Sequence, residues 1–537
     1  MDNPKEDITL QTMQESGVVF AERSVENDAG EPSSYLMNGR KLGVVCVAFM
    51  MSFALIALDQ TILSTALATI VSHFHAVSDL TWIASAYFLP QAGLMLLFGR
   101  ILAIAPAKVV YLLAIFIFEI GSLFCAVAPS VNFLIFGRAV AGVGAAALWV
   151  SIMAIIARIT TMSQRPIVLG LFGGVFAVAS IAGPLIGGAF SDHVSWRWCF
   201  WINLPCGGVA IAVVYFTLPS MSPPDFSDKG WRKWLQLDYI GAVLSVAAIT
   251  LLLIPLQWGG NVRSWNDPLV IGLLVASVVL ICLFLVWEHK QGSNAILPIS
   301  ILVDGNMPGA CIQTLFVYIA FITPLLYQVE GHSATSSGIS ILPFMIAGVL
   351  TSFIAGATIT ATGHVWPFLV GPPLLASVAA GLLFAVTPST RASAIIGYQI
   401  LLGIGLGAVT QNGLIVAQAQ YHNKPESVPQ ATSVITFITL IGSSLGLAIS
   451  SAIFSSQLDK KLNAINNISS NSIQAVKISI QAIFILPKDQ QTPIIAAYMA
   501  AVTSIFLMTV PSAALASISA FLISRGKIAI KGVVATG

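Results

Sequence analysis

The chain has 537 residues, of which 57% are hydrophobic and only 9% charged, with a formal net charge of +2. A soluble domain carries roughly 25% charged residues, so this composition excludes a soluble enzyme. So small a net charge also argues against a nucleic-acid partner.

Residues 1–39 are acidic and polar and read as a disordered cytoplasmic tail. They contain no apolar core of a secretory signal, so the first membrane helix is expected to direct insertion. A helix needs about 20 apolar residues to cross a hydrocarbon layer about 30 Å thick. Stretches of that kind start near Gly43, Leu80, Lys108, Asn132, Ile167 and Cys199, and the sixth ends near Pro219. Residues 40–219 therefore read as a first six-helix bundle. The linker SMSPPDFSDKGWRKWLQLD follows, and spans start near Tyr239 and Leu269, which makes 220–294 a linker with two extra helices ending in EHKQGSN at 288–294. Six more stretches start near Pro308, Ile339, Trp366, Ser393, Thr432 and Pro493. They make 295–524 a second bundle with an outer loop at 455–491, and 525–537 a cytoplasmic tail. The predicted class is an all-α integral membrane protein with about 14 transmembrane helices, arranged six, two, six. Lys and Arg concentrate in alternate loops, which predicts that both termini are cytoplasmic.

Three ionisable residues lie deep in the predicted spans: Asp59, Glu119 and Arg138. Each costs about 2.5–3.5 kcal/mol on insertion scales and needs a partner or a water-filled cavity. At 1.5 Å per residue, Asp59 and Arg138 sit at similar depth, about 9–15 Å below the outer surface. They read either as a proton-coupling element or as a static ion pair. Glu119, near the middle of the third span, either joins them or fixes packing. Pro184 kinks the fifth span within GPLIGG, where Gly183, Gly187 and Gly188 leave a bare face. That face reads as close helix packing, as a hinge, or as both.

An internal repeat shows in the glycines. Gly142 and Gly144 in the fourth span correspond to Gly403, Gly405 and Gly407 in the fourth span of the second bundle. The pair Gly183 and Gly187 corresponds to Gly442 and Gly446. The polar residues Gln91, Gln328, Gln411, Asn412 and Gln418 either line a substrate cavity or bond another helix, and Tyr87, Trp82, Trp149 and Tyr327 can form an apolar wall. Trp196, Trp198 and Trp201 read as interfacial anchors. The six cysteines read as small buried hydrophobes without disulfide or zinc spacing. No GxxxxGK[ST] run is present, and the seven histidines fall in loops or at span ends. His73 and His75 read as solvated loop residues, so no metal and no cofactor is expected, and no enzymatic activity. Asn467-Ile468-Ser469 is an N-glycosylation sequon in the long outer loop.

Three segments, LDQTILSTAL (58–67), GRAVAGVG (137–144) and GPLIGG (183–188), resemble motifs of the major facilitator superfamily, more narrowly its fourteen-span drug:proton antiporter branch. WRWCFWINLP (196–205) and YQVEGHSATSSGISILP (327–343) are similar to segments of fungal efflux-pump members. The resemblance covers roughly 40–530 and implies two six-helix bundles around a central cavity. It also implies export of a small, largely apolar organic molecule, such as a toxin, secondary metabolite or drug, driven by inward proton flow. Asp59 matches the acidic position of the first-helix motif, Arg138 the proton-coupling arginine, and Gly183, Pro184, Gly187 and Gly188 the antiporter motif. The loop GRILAIAPAK departs from the family, with Ala103 at its acidic position and Pro106 at its second glycine, and FITPLLYQ (321–328) looks short for the span that opens the second bundle. The expected partners are protons, substrate and lipid bilayer, the expected working unit a monomer, and the expected location the cell membrane or, alternatively, the vacuolar membrane. Uptake of iron chelates or basic amino acids is the rival within transport, and a transport-inactive sensor the rival outside it.

Overall fold

The computed structural model describes residues 35–37, 39–74, 79–221, 234–235, 237–259, 263–326, 341–387, 389–465, 476, 483 and 486–526. Residues 1–34 and 38 of the predicted disordered tail, most of the linker after Pro219, His75, Tyr327, Gln328 and the Asn467 sequon lie outside them, while Gly39, assigned to that tail, opens the first helix. Fourteen helices are long and apolar enough to cross a membrane. They are α1 (Gly39–Phe74), α2 (Leu80–Ile104), α3 (Ala107–Ala126), α4 (Val131–Ile159), α5 (Arg165–His193), α6 (Trp198–Thr217) and α7 (Tyr239–Trp258). The others are α8 (Pro268–Gln291), α9 (Met307–Leu326), α10 (Leu342–Thr362), α11 (Trp366–Phe384), α12 (Ala392–Gln420), α13 (Val428–Asn463) and α14 (Gln490–Leu522). Among the described residues there is no strand.

Hydrocarbon offers backbone groups no partner, so each crossing must satisfy its own hydrogen bonds as a helix. Side chains punctuate the ends. Ser130 accepts from the Phe133 N–H at the start of α4, and Asp267 accepts from the Leu269 N–H at the start of α8. Proline fills the first turn of α5, α8, α10, α11 and α13, where its missing N–H costs nothing. At the end of α10, Gly363 takes φ +74, the left-handed conformation that a side chain disfavours. Fourteen crossings return the chain to the face from which it started, here called the termini face; the opposite face is the distal face.

Helix pairing repeats between the two halves. In the first bundle α1 packs on α5 and α6, α4 on α2 and α3, and α3 on α6. In the second, α9 packs on α13 and α14, α12 on α10 and α11, and α11 on α14. The same order of partners after a shift of eight helices is an internal structural repeat. The matched glycines sit at matched joints. A side chain at Gly183 or Gly187 would overlap Thr61 or the Ile62 carbonyl of α1, and one at Gly442 or Gly446 would press on the Leu315 or Ile319 carbonyl of α9. Small residues let these backbones approach where no hydrophobic force drives helices together. The insert α7–α8 pairs with itself and leans on α2. The bundles meet where α2 packs on α13 and α5 on α10.

One span is discontinuous. α12 runs helically from Ala392 to Gly407, turns at Ala408–Gln411 and resumes at Asn412. Side chains take up the carbonyls at the break: Thr410 Oγ1 donates to Gly407 O, Asn412 Nδ2 to Ala408 O, and Tyr318 OH to Thr410 O.

Candidate functional site

α1 and α4 bring the two predicted charges together. Arg138 Nη1 donates to Asp59 Oδ2 at 2.6 Å, and each side chain is 1% exposed. Among the described residues this is one of two ion pairs; the other, Arg263–Asp267, sits at the start of α8 on the surface. The Arg138 guanidinium also lies over the Tyr87 ring, 4.4 Å from its centroid, with Phe200 at 5.9 Å. Aromatic faces support the cation where water is absent. The pair is incompletely satisfied, because Asp59 Oδ1 and Arg138 Nε have no hydrogen-bond partner among the described residues. Such a buried pair has two alternatives: it stays closed by mutual attraction, or it opens when the carboxylate takes up a proton.

Around it, Gln60 Nε2 donates to Gln91 Oε1 at 3.3 Å, and Gln91 Nε2 has no hydrogen-bond partner among the described residues. Tyr87 and Gln91 are fully buried in the first bundle, Tyr87 against Arg138 and Gln91 against Gln60. Glu119 is not hydrogen-bonded to that pair. Its carboxylate presses on α6 where Gly207 leaves room, and neither oxygen has a hydrogen-bond partner among the described residues. One turn further along α3, Ser122 accepts from Asn203 Nδ2 of α6 at 3.0 Å.

In the second bundle, Asn412 is buried at the α12 break and Gln411 is half-buried beside it. Gln411 Nε2 reaches toward α5, 3.9 Å from where a Gly173 side-chain carbon would stand. Mid-span breaks expose backbone carbonyls only where protein or a water-filled cavity meets them. Through Gln411 this break presents a polar group to α5 of the first bundle. Gln418 crosses between the bundles: its Nε2 donates to Met153 O of α4 at 3.2 Å and to Thr432 Oγ1 at 3.3 Å. A cavity of about 280 Å³ opens elsewhere, at the termini face, against Trp366, Gln420 and His422, and it holds none of Tyr87, Gln91, Gln411 or Asn412.

Glycines toward the termini face let the bundles approach closely. A side chain at Gly99 would overlap Ser433, one at Gly170 would stand 3.0 Å from Ser352 O, and one at Gly356 would overlap Pro166 O. At that face Arg165 donates to Ala157 O and to Met162 Sδ. Burial and the facing Arg165 charge lower the pKa of His422 in the loop after α12. The departure at GRILAIAPAK has a structural counterpart. Arg100 donates to Asn294 Oδ1, Arg158 to Leu102 O, and Lys108 to Tyr215 O and Leu218 O, so carbonyl and amide contacts hold this loop.

Two features were not expected. Trp196 is buried, 3% exposed, with its ring against Phe74 and Phe200, so it is packing rather than an interfacial anchor. Glu288, the first residue of the EHKQGSN stretch, lies inside α8 and is fully enclosed.

Two repeated six-helix bundles joined by a two-helix insert, the first enclosing an ion pair, define a multi-pass membrane transporter. The chain belongs to the major facilitator superfamily, whose sequence profile, Major Facilitator Superfamily, matches residues 49–447. It is 37% identical over 453 residues to the MFS-type transporter phomT of Diaporthe leptostromiformis, covering 83% of this chain and 75% of that one. It is 35% identical to the efflux pump aflT of Aspergillus parasiticus, covering 81% and 86%, and 34% identical to the rubrofusarin-specific efflux pump aurT of Gibberella zeae, covering 89% and 88%. Among solved structures, the human organic anion transporter MFSD10 shares the fold, with a TM-score of 0.58 at 12% identity, covering 91% of this chain and all of that one.

Proposed function

We propose that this protein is a proton-coupled exporter of a small, largely apolar organic molecule of the secondary-metabolite or toxin class, working as a monomer in the cell membrane with both termini cytoplasmic. The single observation that carries the coupling is the enclosed Asp59–Arg138 pair with one carboxylate oxygen unfilled. The efflux-pump names of the relatives support the direction. A proton reaching Asp59 from the distal face neutralises the carboxylate and frees Arg138 from it. The pair can re-form only when the proton leaves toward the cytoplasm. Gln411 and Asn412 at the α12 break, with Tyr87, Gln91 and Gln328, are the proposed polar contacts along the substrate path, and Glu119 is a further acid of the proton route. Efflux from a host deleted for its own pumps, tested against a panel of hydrophobic compounds with and without a protonophore, checks this reading. Protonophore-insensitive efflux would remove the antiport claim.

Contact between the bundles toward the termini face has a measurable consequence. The Gln418–Met153 hydrogen bond joins the bundles there, and an interhelical hydrogen bond in a membrane is worth about 0.6 kcal/mol. Gln418→Leu is expected to favour the cytoplasm-open state by no more than about threefold. Apparent substrate affinity from the cytoplasmic side, measured in inside-out vesicles, should rise by that factor. A tenfold rise, or a fall, would contradict the role given to this contact.

The topology is checked at Asn467. Cytoplasmic termini and fourteen crossings place its loop on the distal, lumenal side during synthesis. Endoglycosidase is expected to sharpen and shift the gel band of the wild type and leave Asn467→Gln unchanged. Labelling of this loop only after the cells are permeabilised would refute the fourteen-crossing orientation.

A further inference from the structure

The insert α7–α8 carries two enclosed acids at its termini-face ends. Asp238 caps α7: its Oδ1 accepts from the Gly241 N–H at 2.7 Å, and Trp287 Nε1 of α8 donates to Oδ1 at 2.8 Å and to Oδ2 at 3.1 Å. Glu288, the next residue on α8, is 0% exposed and Asp238 is 4% exposed. Glu288 Oε2 accepts from the Leu297 N–H at 2.8 Å, which ties the end of α8 to the segment leading into the second bundle. Its other oxygen, Oε1, is buried and has no hydrogen-bond partner among the described residues. It is aimed at Asp238. A side chain at Gly241 would overlap both Asp238 Oδ2 and Glu288 Oε1, so the two oxygens converge on one point beside α7 where only a glycine fits.

Among the described residues the donors to the pair are the N–H groups of Gly241, Trp287 and Leu297, and of these only Trp287 reaches a converging oxygen, Asp238 Oδ2 at 3.1 Å. Among the described residues, no charged side chain of a neighbouring element bonds to either acid. Arg100 of α2 donates to Asn294, and His289 and Lys290 of α8 are exposed, with no hydrogen bond from any of them to either acid. Two carboxylates converging in an enclosed site cannot both stay ionised without a charge between them. The groups aimed at them are N–H donors, which cannot ligate a metal ion, so the donor set suits a proton.

We infer that Asp238 and Glu288 bind one proton between Oδ2 and Oε1, and that this proton latches the two-helix insert to the chain entering the second bundle. One carboxyl supplies the O–H and the other accepts it, forming a short charge-assisted hydrogen bond. No electron transfer or co-reactant is involved. Removing the proton leaves two facing charges, and α7, α8 and the Leu297 segment lose their common anchor. The latch is distinct from Asp59 and Arg138, and it stands whether or not transport is proton-driven.

The test uses the full-length purified protein in lipid nanodiscs, with melting temperature followed from mildly acidic to mildly alkaline pH. The proton is bound more tightly in the folded protein than in the unfolded chain, so its stabilisation is present at the acidic end and is lost as pH rises. The wild type is expected to lose a few degrees of melting temperature that Glu288→Gln retains, because the amide donates permanently into Asp238. Asp238→Asn is the second variant and is expected to behave alike. Infrared difference spectra, wild type minus Glu288→Gln, should contain a protonated-carboxyl C=O stretch that weakens on alkalinisation. Superimposable pH profiles for the wild type and whichever amide variant folds, or a difference spectrum without that band, would overturn the shared proton.

Discussion

Asp59→Asn is expected to abolish gradient-driven export while leaving the protein folded in the membrane. The asparagine keeps the shape of the side chain and one carbonyl oxygen facing Arg138, so the contact between α1 and α4 survives in outline. What disappears is the charge. Breaking a buried pair by removing one partner costs about 3–5 kcal/mol, because the other charge is left uncompensated. Here the Tyr87 face at 4.4 Å still supports the guanidinium, so lower expression is expected rather than misfolding. The functional loss is larger than the structural one. A charge moved through 100 mV is worth about 2.3 kcal/mol, and a neutral residue 59 has no proton with which to collect it. In proteoliposomes the variant should still exchange substrate down its own gradient and should fail to concentrate it when a pH gradient is applied. Asp59→Glu should retain part of the driven transport. Concentrative transport by Asp59→Asn at the wild-type level would remove Asp59 from the coupling step.

The membrane crossings are readable in the sequence because their cause is simple: about 20 apolar residues, with few charges, can do little else in a bilayer. All fourteen predicted starts fall within a few residues of a helix. The partnership of Asp59 with Arg138 is readable for the same reason, since only three ionisable residues interrupt those spans and two share a depth. Glycine periodicity marks the joints α1–α5 and α9–α13, because close backbone approach selects for missing side chains. Other features depend on contacts that local composition does not encode. Glu288 stands in EHKQGSN, the charged and polar run that ends the 220–294 segment, yet α8 continues to Gln291 and its neighbours enclose the acid. Gln91 reads in the sequence either as a cavity group or as a bond to another helix, and the residue its oxygen meets, Gln60 of α1, is set by packing. The break in α12 falls in GAVTQNG, whose glycines match those of unbroken spans, so only the positions of Tyr318 and Asn412 show where the freed carbonyls go. Trp196 carries the composition of an anchor and the packing of a core residue.

Gly187→Val is expected to eliminate transport, whereas Gly188→Val, one residue on in the same motif, should leave it near the wild-type level. The motif GPLIGG offers both glycines as equals in sequence, but the structure separates them. A side chain at Gly187 would overlap the Ile62 carbonyl and Thr65 Oγ1 of α1, while one at Gly188 meets nothing within 4 Å. The Ile62 carbonyl belongs to a helical backbone and cannot rotate away, so α1 must move as a body. Overpacking of this kind costs typically 1–3 kcal/mol. It also removes the fastening between the two helices, because Thr61 donates to Ala179 O and Thr65 to Pro184 O, each at 3.1 Å. Asp59 lies less than one turn from Ile62 on α1, so moving that helix away from α5 alters its 2.6 Å contact with Arg138. The loss should therefore appear in coupled transport more than in membrane yield. The measurement is substrate efflux normalised to surface expression for both variants. Equal activity of the two, in either direction, would show that Gly187 does not hold the α1–α5 joint that positions Asp59.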